Sequence, residues 1–145
     1  MYRLFALIAA IGALVIGAMQ LSAGVGTARW TRYDASEFMM AQKKGKTILV
    51  HVASDGCSPC RAQATTLEEL RRQNQSGDVL FVAVDFDKEA AFARQNNVAS
   101  PASVLVFKGM EETARSVAHQ DGQQDGQQNR AALRRVVLDG LFDQP

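Results

Sequence analysis

Residues 48–61 read ILVHVASDGCSPCR: an apolar run, a short polar loop, then Cys57 and Cys60 separated by Ser58 and Pro59. These are the chain's two cysteines. Pro59 has no backbone N–H and a φ preset for a first helical turn. Residues 61–75 have helix-forming composition, with Leu67 and Leu70 on one face. The pair therefore stands where a strand ends and a helix begins. The unpaired N–H groups and the dipole at that helix end stabilise an anion. A thiolate is such an anion, and it is the attacking species in disulfide exchange. Two thiols at this spacing also close on each other, which releases a bound partner.

Other uses of a C-x-x-C pair fit less well. A zinc site needs four ligands, and His51 and His119 do not complete one at finger-like spacing. Haem attachment needs histidine after the second cysteine, where Arg61 stands. A purely structural disulfide closing so short a loop is a poor staple, because cross-link stabilisation grows with loop length. A redox pair at a βα junction is the specific reading.

The chain has 145 residues, 47% of them hydrophobic, and a net charge of +1. That is one domain with room for a core, and neither disorder nor nucleic-acid binding is implied. The apolar residues are unevenly spread. Residues 4–19, LFALIAAIGALVIGAM, carry no charge and follow Met1-Tyr2-Arg3. A basic start, an apolar run and the small residues of SAGVGTA read as a secretory signal, for which cleavage after Ala28 would put Gly26 and Ala28 at the small-residue positions. Extended through Val25, the run is also long enough to be a membrane anchor. The expected division is residues 1–28 as signal peptide or anchor and 29–145 as the folded domain, exported to the cell envelope outside the cytoplasmic membrane.

Within the domain, Trp30 to Tyr33 reads as a short edge strand. A helix follows, with Asp34 as N-cap and Glu37 three residues on; Met39 and Met40 are assigned to core packing. Residues 47–53 and 78–85 are apolar runs of the kind covered on both faces, and a helix joins them in a βαβ unit. Residues 88–96 read as a helix, 103–107 as a strand and 112–118 as an antiparallel edge strand. The tandem DGQQDGQQ of residues 121–128 reads as a mobile loop. Asn129 is placed as the cap of a last helix buried through Leu133, Val136, Val137 and Leu141.

This order of elements, with Cys57-Ser58-Pro59-Cys60 after the central strand and Ser100-Pro101 before a later one, resembles the thioredoxin family over roughly residues 30–142. Its exported or membrane-tethered members are the nearest match. The resemblance implies a three-layer α/β fold, with a central mixed sheet flanked by helices and preceded here by the hydrophobic segment. It implies that Pro101 is the family's cis-proline, facing the cysteines and shaping a groove for substrate backbone with Ser100. Arg61 stands where many members carry a basic residue. Three residues depart from the pattern. Gly56 replaces the usual tryptophan, Ser58 the usual glycine, and His51 the usual buried acid. With Pro59 they border the pair and tune it. His51 is either a core histidine or a base that takes the proton lost by Cys60.

The expected function is thiol–disulfide oxidoreduction on protein thiols and disulfides, with Cys57 as nucleophile and Cys60 as the resolving thiol. No cofactor and no metal is required, since the dithiol carries two electrons. A redox partner in the membrane, membrane contact through residues 4–25 if uncleaved, and a monomer complete the expectation. Two rivals use the same residues: a Cu(I)-binding module holding metal through both thiolates, and a redox-silent domain that holds unfolded clients.

Overall fold

The computed structural model describes residues 29–73, 78–118 and 126–142. The signal or anchor expected at residues 1–28 lies outside the described residues, as do Asp121 to Asp125 of the tandem repeat. Nine elements follow one another: β1 (Trp30–Arg32), α1 (Ala35–Lys43), β2 (Thr47–Ala53), α2 (Ser58–Gln73), β3 (Val79–Asp85), α3 (Ala90–Gln95), β4 (Ser103–Lys108), β5 (Glu111–Val117) and α4 (Gly126–Phe142). The strands form one sheet in the order β1-β3-β2-β4-β5. β1 and β2 pair with β3 in parallel, while β4 runs antiparallel to both β2 and β5. This is the mixed, helix-flanked sheet that the sequence predicts.

β2 sits at the centre, and its five inner residues are all buried. Its alternation assigns two cores. Ile48, Val50 and Val52 pack with Phe38 of α1 and Phe92 of α3 on one face. Leu49 faces the other way, with Leu67 and Leu70 of α2 and Leu133, Val137 and Leu141 of α4. Aromatic edges lock the first core: Phe38 meets Phe92 at 5.6 Å and Phe107 at 5.6 Å, near-perpendicular in both cases.

Several local expectations need correcting. Met39 and Met40 are half exposed rather than in the core. The buried residues of α1 are Phe38 and Ala41, and that i, i+3 pair turns the intervening methionines outward. Gly126 to Gln128 are helical rather than loop, so Asn129 lies inside α4 and not at its cap. α3 starts at Ala90, not at 88, because the Asp85 carboxylate accepts the backbone N–H groups of Asp87 and Lys88 and holds them in a turn. Asp34 does cap α1, accepting from Ser36 N–H and Glu37 N–H.

Candidate active site

The end of β2 delivers the cysteines. After Ala53 the chain turns at Asp55 and Gly56, and Gly56 adopts φ +76°, a conformation that disfavours any side chain. Cys57 N–H reaches back to Ser54 O at 3.4 Å. Cys57 thus stands immediately before α2, Ser58 and Pro59 begin the helix, and Cys60 lies in its first turn. The proline's missing N–H is one that the helix would leave unpaired anyway. Cys57 and Cys60 are joined as a disulfide, with Cα atoms 5.3 Å apart. Cys60 N–H donates to Cys57 Sγ at 3.2 Å. Cys57 is 7% exposed and Cys60 4%. Arg61 and Ser58 point to solvent, and Pro59 is half-buried.

Ser100 and Pro101 are both half-buried in the loop before β4. The expected cis bond is absent: every peptide among the described residues is trans, Ser100–Pro101 included. The chain changes direction at the next residue instead, where Ala102 takes φ +58°. Two hydrogen bonds hold Ala102 there, since its carbonyl accepts from Ala118 N–H and from Gln63 Nε2, each at 2.9 Å. A left-handed alanine costs roughly 1–2 kcal/mol, so it persists only where its surroundings fix it. Ala102 is fully buried and packs with Cys57, Cys60, Ala118 and Ala53. Ala102 thus packs directly against the disulfide.

His51 lies on β2 two residues before Ala53, on the same face, and is 8% exposed. The Trp30 ring stands 6.2 Å away. Burial pushes the imidazole down to about 4, and the nearby Gln63 side chain only partly opposes this. His51 is therefore neutral at pH 7. Gln63 itself is 6% exposed. Neither His51 Nε2 nor Gln63 Oε1 makes a hydrogen bond of ordinary geometry. Gln63 and Ala102 escaped the sequence reading. The available signal for Gln63 was spacing: Cys60, Gln63, Leu67 and Leu70 form one helical stripe, and a carboxamide in an otherwise apolar stripe is out of place. Nothing in the sequence marks Ala102.

The His51 shift has a thermodynamic consequence. Its folded value, about 4, lies below the ordinary 6.5. Between those values the unfolded chain binds the proton and the folded chain does not. The stability tied to neutral His51 is fully present above pH 6.5 and is lost as pH falls through 4, up to about 3 kcal/mol. Urea unfolding of the oxidised protein at pH 7 and pH 4.5 should show a steeper loss than in His51→Leu. Parallel losses in the two proteins would contradict the shift.

The thioredoxin family model matches residues 31–135. Thioredoxin-1 of Saccharomyces cerevisiae is 31% identical over 83 residues, 57% of this chain and 79% of that protein. Mitochondrial thioredoxin-2 of Schizosaccharomyces pombe is 40% identical over 67 residues, 46% of this chain and 49% of that protein. Among solved structures, Trxlp of Edwardsiella tarda superposes with a TM-score of 0.60 at 26% identity, covering 72% of this chain and 98% of that one. The family match runs from β1 into α4 and includes the cysteine pair; the chain belongs to the thioredoxin family, as a protein-disulfide oxidoreductase whose redox pair is Cys57–Cys60.

Proposed function

We propose that this thioredoxin-family domain exchanges disulfides with protein substrates outside the cytoplasmic membrane, with Cys57 as the attacking sulfur. The observation that carries the assignment of roles is the Cys60 N–H directed at Cys57 Sγ in front of α2. That donor and the helix end stabilise negative charge on Cys57 and do nothing comparable for Cys60. In the reducing direction, the Cys57 thiolate attacks one sulfur of a substrate disulfide and expels the other as a thiolate. Cys60, having given its proton to the expelled substrate thiolate or to water, then attacks Cys57 Sγ. The Cys57–Cys60 bond forms, the mixed disulfide breaks and the second substrate sulfur leaves as a thiolate. Two electrons pass to the substrate, and the oxidising direction is the reverse. Ser100 and Pro101 line the approach to the pair, with Ala102 beneath them. The uncharged residues 4–19 support export, and a membrane redox partner would return the pair to its working state.

His51 acts through its lack of charge. A thiol of ordinary pKa, about 8.5, would give its proton to a base near 4 only uphill by four to five units, which makes the imidazole a weak acceptor. A carboxylate at the same place would oppose the thiolate by like charge. Neutral His51 does not. A better stabilised thiolate makes the disulfide a stronger oxidant.

Three measurements test this reading. Cys57→Ser should abolish exchange, whereas Cys60→Ser should accumulate a mixed disulfide; the opposite pattern would reverse the two roles. His51→Asp should raise the Cys57 thiol pKa and make the pair more reducing, while His51→Ala should change both only slightly. Thiolate absorbance titration and glutathione equilibration report these quantities, and equal curves for His51→Asp and the native protein would remove His51 from the tuning of the site. Protease added to spheroplasts should digest the domain or release it. Protection until lysis would place the domain inside.

A further inference from the structure

Gln63 joins three parts of the site. It belongs to α2, one turn beyond Cys60. Its Nε2 donates to Ala102 O, across 39 residues of sequence, in the loop before β4. Its side chain also neighbours His51 on β2. The bond to the Ala102 carbonyl fixes which end of the carboxamide is which, because a carbonyl accepts only from the NH2 end. Oε1 is thereby left as an acceptor, buried and without a partner, in the same region as His51 Nε2, also buried and without one. Two unsatisfied buried polar atoms on neighbouring side chains are satisfied most simply by one donating to the other. A neutral imidazole carries one N–H, and only the Nε2–H form can supply that donor.

We propose that Gln63 is a positioning residue for disulfide exchange: one end of its carboxamide holds the Pro101–Ala102 loop against the cysteine pair, and the other accepts from His51 Nε2–H and fixes the imidazole tautomer. The inference rests on the reading of residues 100–102 as the surface that substrate backbone meets. The consequences follow from Ala102. Its left-handed conformation is held by two donors, Gln63 and Ala118 N–H. Losing one leaves a strained residue free to relax away from the sulfurs. A bulky protein substrate, aligned by that loop, feels the change. A small disulfide, which needs only the exposed edge of Cys57, does not. A cleft of about 60 Å³ lined by Pro59, Gln63, Thr66, Ser116, Ala118 and Leu133 gives the freed Gln63 side chain room to shift.

Two readouts decide the matter. Long-range 15N–1H correlation spectra of the native oxidised protein near pH 7 should show His51 as the Nε2–H tautomer, with His51→Leu separating its signals from those of His119. This measurement needs no position-63 variant to fold. An Nδ1–H tautomer would overturn the proposal. The second readout is Gln63→Met, similar in length but without the carboxamide. It should mix the two tautomers and raise the KM for insulin about tenfold, the effect of one buried hydrogen bond, with turnover of a small aromatic disulfide within about twofold. An unchanged tautomer, or equal losses on both substrates, would refute it. Pro101→Ala guards the underlying reading. If it leaves the insulin KM unaltered, the loop is not the substrate surface, and the native tautomer alone then decides whether Gln63 positions His51.

Discussion

A strand hydrogen-bonded along both edges and covered on both faces has no freedom of register, and β2 is such a strand. It pairs with β3 from Thr47 to Ala53 and with β4 from Thr47 to Val52. Slipping by one residue would exchange its two faces and put His51 among the phenylalanines of the opposite core. The register does more than hold the core together. Val52 stands opposite Ser103, so the residue before β4, Ala102, comes level with Ala53. Ser103 in turn stands opposite Val117, so the residue after β5, Ala118, reaches the same level and bonds Ala102 O. Three segments distant in sequence meet at the end of β2 where the cysteines emerge. The site is a consequence of strand pairing before it is a consequence of any side chain.

What the sequence made legible follows from this. Continuous apolar runs, and the helix stripe of Leu67 and Leu70, carry enough signal to place β2, α2 and β3, and the C-x-x-C spacing places the chemistry at their junction. Caps, turn residues and shorter apolar runs gave the rest of the order, from which the resemblance was drawn. Side-chain direction was less legible. Met39 and Met40 are as apolar as Phe38, and only the phase of a nine-residue helix against the sheet sorts them. The backbone near Pro101 was illegible for a different reason. A short loop pinned by a side chain 39 residues away takes its geometry from that tertiary bond, so local sequence says little about whether the turn falls at the proline or one residue later. The start of α4 was missed because the polar, glycine-bearing repeat was read as one loop, although glutamine is a good helix former.

The balance of charge around Cys57 distinguishes this site from a thioredoxin with a buried acid. Three effects act on its sulfur. The Cys60 N–H and the end of α2 favour the thiolate, and burial to 7% exposure opposes it. A carboxylate beneath the pair would add a second opposing effect, but here that place is held by a neutral imidazole and a carboxamide. The acid closest in sequence, Asp55, lies on the exposed side of the turn and acts on Lys88, whose main partner is Asp85. Both effects that remain favourable are dipolar, fixed by the backbone and short in range. They select the sulfur that reacts but exert little pull on an approaching protein. Under the proposed function, recognition would fall to shape and backbone contact along residues 100–102, and the bonds that set the conformation of Ala102 would help decide which chains can present a disulfide to Cys57.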